Sequence, residues 1–532
     1  MAKPISNITV VGGGTSGWLA ASYLARLFEQ RVKTGSLSIT LIESPDVGII
    51  GVGESTARPM SDLLRLIGIN ESEFIKRCNA TFKLSGWFAN WDIDEAGKPV
   101  SWVNPFFSQS DIHGLNPASL FATYGMHRGG GPIDEGFTDA MSVCPDIIRA
   151  HKGPRLLGGE DYKSEIPYSY HMDAIELAKM LMERGKELGV KQIIDHVNEV
   201  HLDDRGFVSE LILRKNGAHP IEFVIDATGF ASIIIGKTLK EPFEPYDKYL
   251  LNDRAVVAQI PYEDPTRIEP TSRATGMNAG WAFRVPLFNR VGSGYIYSSK
   301  FISDDEAIAE FKAHIGDVGQ EVEPRIIRMR IGKVRRAWVK NCLALGLSSG
   351  FVEPLEATAI YSVQVQLQWL FGYFPDSDFN PAVIKRYNGL INGFYDEIVD
   401  FIALLFCTSN REDTPYWRAV RHDMEIPPRL AENLELWRAN MPGDLDLRTM
   451  TFFSPSSYRS ALMGKQFYKG REYAAASVFS EANWRQYLDM RRQKTRDLMA
   501  KLPDHYTLLR RIRGEDAPAS TPTPITPIYL NS

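Results

Sequence analysis

Ile8-Thr9-Val10-Val11-Gly12-Gly13-Gly14-Thr15-Ser16-Gly17 is the stretch that decides the fold. A short β-branched run ends in glycines that satisfy GxGxxG and open a helix. Trp18, Leu19, Tyr23 and Leu27 recur at helical spacing, which predicts a helix over Thr15 to Gln30. Ser38 to Glu43 then reads as a second strand, apolar enough to be buried on both faces. Such a βαβ unit belongs in a doubly wound parallel sheet, so the fold class is α/β. Gly12, Gly13, Gly14, Thr15, Ser16 and Gly17 are the expected phosphate cradle: the glycines admit close backbone approach and the helix N-terminus offers amides to a pyrophosphate. Glu43 ends the second strand where a ribose-binding carboxylate belongs, slightly later than the usual spacing of ~20 residues.

Working outward, Asp173 to Leu188 has helical periodicity with Asp173 as its N-cap. Lys191 to Val200 and Gly206 to Arg214 read as strands. Asn216-Gly217 turns the chain into Ile221 to Ile225, an antiparallel run that ends at Asp226-Ala227-Thr228-Gly229. A hairpin run inserted between an early βαβ unit and a returning strand is the layout of FAD-binding domains. Two further glycine-containing segments, Gly51-Val52-Gly53-Glu54-Ser55-Thr56 and Leu343 to Gly350, could also border a flavin. Together these features favour FAD over NAD. From Glu356 onward the chain reads as mostly helical, and Gly514 to Ser532 is a Pro- and Thr-rich tail.

Composition narrows the rest. The chain has 532 residues, room for about three domains or one large elaborated one at ~100–200 residues each. It is 44% hydrophobic and 23% charged, which excludes a disordered chain. Its 60 Lys+Arg against 65 Asp+Glu carry no basic excess, so no nucleic-acid partner is expected. Cys78, Cys144, Cys342 and Cys407 form no CxxC pair, and His127, His151 and His171 have no ligand spacing, so neither a disulfide framework nor a metal site is expected. The start has no signal-peptide h-region. The charge-free run Ala357 to Pro375 carries Gln364, Gln366 and Gln368, which argues against a membrane span. A cytoplasmic location is the expectation.

Two more segments specify the chemistry: Trp281-Ala282-Phe283-Arg284-Val285-Pro286 and Gly350-Phe351-Val352-Glu353-Pro354-Leu355-Glu356-Ala357-Thr358-Ala359-Ile360. With the opening glycine motif, the GVGEST segment and Tyr170-His171-Met172-Asp173-Ala174, the sequence resembles the flavin-dependent halogenases of the tryptophan-halogenase type from about residue 5 to roughly 400. The family's WxWxIP stands here as WAFRVP. The resemblance implies a glutathione-reductase-like FAD domain over 1–400, with substrate-site segments inserted at about 80–170 and 240–300, and a mainly helical substrate-side region over 401–513. It implies that FADH2, O2 and chloride or bromide give hypohalous acid at the flavin, and that this oxidant travels to a separate aromatic site. There Lys83 holds it and Glu356 assists substitution. The amides of Thr358 and Ala359 bind halide, and Gly13, Thr15, Ser16, Gly53, Val197, Leu347 and Ile360 contact the flavin. A separate flavin reductase supplies FADH2, and a second copy of the chain is left open as a partner.

The physics of these roles stands beside the resemblance. A lysine ammonium is a three-donor point charge that can polarise hypohalous acid. A carboxylate stabilises a developing arenium cation and takes its proton. By its own run, Lys83 would point to solvent from an alternating strand, and Glu356 would be a first-turn carboxylate favouring a helix dipole. The expected aromatic pocket is Asn104, Phe106, Trp281 and Phe283, with Trp484 and Tyr487 as C-terminal candidates. Asn104 stands where tryptophan-specific members tend to carry His, and Ala357 and Ala359 stand for Ser and Gly. Halogenation of an indole-type aromatic is the first reading. An aromatic monooxygenase and a non-catalytic flavoprotein are the alternatives.

Overall fold

β1 (Asn7–Val11), α1 (Thr15–Leu27) and β2 (Ser38–Glu43) form the anticipated βαβ unit, with β1 and β2 parallel and Val10 opposite Leu41. The computed structural model describes residues 2–46, 48, 51–106, 121, 136–447, 452–468 and 480–515. The first helix stops three residues earlier than its periodicity suggests. Phe28 leaves helical geometry, its ring packs on Phe371 and Phe374, and Glu29–Lys33 restarts as a separate short helix. β1 and β2 lie inside a six-stranded sheet, flanked by Phe223–Asp226 and Cys342–Ala344 on one side and Lys191–Ile194 on the other. All neighbours are parallel except the edge strand Trp338–Val339.

The hairpin region departs from its sequence reading. Lys191 to Val200 is two strands, because Asp195 breaks the run and accepts the N–H groups of His196, Lys215 and Asn216. Lys191–Ile194 therefore stays in the parallel sheet, and Val197–Leu202 starts a three-stranded antiparallel sheet. The strand after Asn216 is Gly217–Pro220, and Phe223–Asp226 returns to the parallel sheet.

The strands that carry the site are β3 (Glu54–Ser55), β4 (Thr81–Lys83), β5 (Ser85–Ile93), β6 (Pro99–Pro105) and β7 (Ser169–Met172). β7 pairs with both β3 and β4 in a small antiparallel sheet. β5 and β6 end a seven-stranded sheet that also contains Gly280–Pro286. Beyond Thr358 the described chain is helical apart from short turns. Pro381, Pro415, Pro428 and Pro455 each open a helix, at the position where a missing N–H costs nothing. The last helix, His505–Arg513, returns to the N-terminal half, where His505 Nε2 accepts the Phe82 N–H at 3.2 Å. No helix among the described residues is long and apolar enough to cross a membrane. Most of the Pro- and Thr-rich tail lies outside the described residues.

Candidate active site

The cradle is built by backbone crowding. Gly12 has φ +120°, and a Cβ there would lie 2.2 Å from the Ala227 carbonyl oxygen. A Cβ at Gly17 would lie 1.8 Å from the Gly12 oxygen, and one at Gly13 would strike the Glu43 carboxylate. Gly14, by contrast, faces open space. α1 begins with no side-chain cap and no acid in its first turn, so its leading N–H groups are left for an anion. Asp226 ties this turn to the later glycine segment. It accepts from the Thr228, Ile234 and Ile235 N–H groups and from Ser348 Oγ. Leu347 lies in the single turn Gly346–Ser348, whose Gly346 abuts Ser16. Glu43 accepts from Trp18 Nε1 and Gln192 Nε2 at the end of β2. Val197 follows Asp195, whose N–H donates to the Glu43 carbonyl at 2.9 Å, so it lies at the same end of the sheet. Gly53 packs instead against Leu287 and Gly292. The open turn, free helix amides and terminal carboxylate fit a dinucleotide.

The second centre surrounds Lys83. This residue is buried at the end of β4, contrary to the solvent-facing reading of its run. Its Nζ donates to the Thr56 carbonyl at 3.4 Å and sits 5.1 Å from the centroid of the Phe106 ring. Arg58 holds the Phe106 carbonyl at 2.8 Å. Asn104 Nδ2 donates to Glu356 Oε1 at 3.2 Å. Burial pushes Lys83 down to about 8, opposed by the charge on Glu356. Burial pushes Glu356 up to about 7, opposed by Lys83 and by the Asn104 bond. Each charge therefore keeps the other ionised in a place that disfavours both.

β7 buttresses the lysine strand. Thr81 donates to the Pro286 carbonyl at 2.6 Å, so its oxygen accepts from His171 Nδ1 at 2.9 Å, and His171 Nε2 is left to accept from Ser272 Oγ at 3.0 Å. Burial, then Lys83 and His505, holds His171 well below the usual imidazole range, and burial takes His505 down to about 4. Neutral imidazoles thus flank the strand that carries the ammonium. His505 gave no signal in the sequence, because its partners lie more than two hundred residues away.

The two hallmark segments are joined directly. The buried Trp281 indole N–H donates to Glu353, which also accepts from Asn252 Nδ2 at 2.6 Å. Trp281 touches Trp91 and Phe283, each with centroids 6.2 Å away. Three residues beyond Glu353, Glu356 is followed by Ala357 at φ 56°, and Thr358–Gly372 then begins with no side-chain cap. Thr358 and Ala359 supply the first N–H groups of that helix, and Ile360 stands half-buried beside them. Trp484 and Tyr487 stack on each other, and the Tyr487 hydroxyl donates to the Met141 carbonyl at 3.3 Å. His127 lies outside the described residues.

Comparison with known proteins follows the same segments. The family model described as Tryptophan halogenase matches residues 7–480. The 7-chloro-L-tryptophan 6-halogenase KtzR of Kutzneria sp. (strain 744) is 34% identical, over 96% of this chain and 100% of its own. The solved structure of the tryptophan 6-halogenase SttH from Streptomyces toxytricini superposes with a TM-score of 0.88 at 33% identity, covering 95% of this chain and 100% of that one. Tar14, a tryptophan C-6 flavin-dependent halogenase (chlorinase) from taromycin biosynthesis, gives a TM-score of 0.87 at 31% identity over 96% and 100%. The likeness thus extends well past residue 400, where the motifs alone stop carrying it.

Proposed function

The chain belongs to the tryptophan halogenase family and is a flavin-dependent halogenase of an aromatic substrate; from that premise we propose that Lys83 and Glu356 carry the transfer of halogen to an electron-rich, indole-type ring. Bound as FADH2, the cofactor supplies, with O2 and chloride or bromide, the electrophilic halogen. Gly12 to Gly17 and Glu43 would hold its pyrophosphate and ribose, and the Thr358 and Ala359 amides would hold halide. Lys83 donates a hydrogen bond to the oxygen of hypohalous acid; as the ring takes the halogen, the halogen–oxygen bond breaks and the oxygen leaves as water with the Lys83 proton. Glu356 faces the ring, stabilises the cation as it forms and takes the displaced proton. Phe106 forms an apolar wall against Lys83, and Trp281, pinned by Glu353, stiffens the sheet behind it. Residues 1–400 act as the flavin-binding core and 401–513 as the substrate side.

The observation that carries this reading is the interaction of buried Lys83 with half-buried Glu356, with Asn104 on the carboxylate and Phe106 on the ammonium. The test is mass spectrometry of an indole reaction supplied with FAD, a flavin reductase, NADH, air and bromide. A product with the paired bromine isotopes is expected. Oxygen addition in its place would assign an aromatic hydroxylase and overturn the proposal.

A further inference from the structure

Asn104, at the end of β6 beside Glu356, has an amide that is only half satisfied. The side chain is 8% exposed. Its Nδ2 faces Glu356 Oε1, and with Glu356 as the carboxylate, the form able to take a proton, only the NH2 end can face it. That orientation leaves Oδ1 buried with no hydrogen-bond partner. Lys83 does not serve it; its ammonium donates to the Thr56 carbonyl. On the neighbouring strand the residue opposite Asn104 is Gly86, and the Phe88 ring lies 3.4 Å from where a Cβ there would stand, so no hydrogen-bonding side chain faces the amide from that position. A buried, unpartnered carbonyl acceptor therefore stands on the same amide that orients the proposed catalytic carboxylate.

Resting on the halogenase reading above, we propose that Asn104 Oδ1 accepts a hydrogen bond from the ring N–H or O–H of the aromatic substrate. The pocket then selects rings that carry a donor, indoles foremost, over isosteres that lack one. The physical basis is the asymmetry of buried hydrogen bonds. A donor-bearing ring completes the amide, whereas a donor-free ring of the same shape leaves the carbonyl dry and unpaired. One side chain would serve two ends of the reaction, placing the ring with its carbonyl and the base with its NH2.

The experiment measures equilibrium dissociation constants of indole and benzofuran, two rings of the same shape, for the enzyme loaded with oxidised FAD, where no turnover occurs. Wild type is expected to prefer indole by about 5- to 100-fold, although benzofuran is the more apolar ligand. In Asn104→Leu, and in Asn104→Ala should the first fold poorly, the preference should collapse to within about twofold through loss of indole affinity alone. A merely structural role would weaken both ligands equally, and that result overturns the proposal. Equal affinities in wild type also overturn it while leaving halogenation intact, because halogenation is read separately from the brominated product. Binding of neither ring, with no brominated product, sinks both readings.

Discussion

At the scale of single residues, the roles proposed for Lys83 and Glu356 predict a reaction that is pH-dependent from both sides. Glu356 must be ionised to take a proton, and its ionisation is delayed to about 7. Lys83 must be protonated to donate, and it loses its proton at about 8. Halogenation kcat/KM should therefore trace a narrow bell whose limbs belong to the pair. Glu356→Gln should lower the rate by about 10²–10⁴, remove the acid limb, and move the alkaline limb to lower pH, because Lys83 loses the negative charge that props it up. An acid limb that persists in that variant would assign the base elsewhere. Lys83→Ala should abolish halogenated product while oxygen consumption with reduced flavin continues, measured with an oxygen electrode beside product analysis. Lys83 shows how far the sequence alone reaches. Its Thr-Phe-Lys-Leu-Ser run alternates like a half-exposed strand, and only the motif resemblance pointed it inward. Pairing with β7 and the contacts of its ammonium with the Thr56 carbonyl and the Phe106 ring hold it inside, and none of these is visible in the local pattern.

At the scale of elements, the segment Glu353 to Ala359 joins a buried acid, a left-handed residue and a helix start within seven positions. Ala357 sits at φ 56°, ψ 37°, a region in which a side chain costs ~1 kcal/mol relative to glycine. Ala357→Gly should raise stability by about 0.4–1 kcal/mol or leave it unchanged, the gain being offset by the looser unfolded chain. Ala357→Val should lower it, and denaturant titration distinguishes the two. Glu353 is fully buried, and burial raises it to about 7 against the bonds from Trp281 and Asn252. Between its ordinary value and about 7 the folded chain holds a proton that the unfolded chain has released, so stability is full at low pH and falls as pH rises through that window. Glu353→Gln keeps an acceptor for Trp281 and Asn252 and cannot ionise. Its advantage in unfolding free energy should therefore grow from pH 5 to pH 8, to on the order of 1–3 kcal/mol at the upper end, read by denaturant titration at each pH. A flat difference across that range contradicts the assignment. The βαβ unit was legible residue by residue, since period and glycine pattern agree with the tertiary fold. The break at Asp195 and the Trp281–Glu353 bond were not, because both are set by partners distant in the chain.

At the scale of the whole molecule, the dinucleotide cradle and the Lys83 centre are separate constellations joined by β3, β7 and the segment Gly346 to Ile360. The sequence carries a single GxGxxG assigned to FAD, so turnover should require a flavin reductase. Sustained product from purified enzyme with NADH and FAD alone would contradict that. What is halogenated follows from the charges around the second centre. Lys83 is shifted by burial and by Glu356, and Glu356 by burial, Lys83 and Asn104, while the Arg58 guanidinium is held on the Phe106 carbonyl. Gripping the ammonium and carboxylate of an amino acid takes paired charges, and a site built with them discriminates steeply, whereas an apolar pocket discriminates by only ~1–3 kcal/mol per missing group. Beside Lys83 and Glu356, the described groups on this centre are the Phe106 ring and the neutral Asn104 amide, with Arg58 the one further charge, tied to the Phe106 carbonyl. Free indole and simple indoles should therefore exceed L-tryptophan in kcat/KM, and the halogen should enter at C3, the most nucleophilic carbon, since no pair of opposite charges free to grip an amino acid stands beside Lys83 among the described residues. Side-by-side kinetics on indole and L-tryptophan, with products placed by NMR, decide the matter, and efficient attack at one benzo-ring carbon of tryptophan would show that a clamp for the amino acid exists after all.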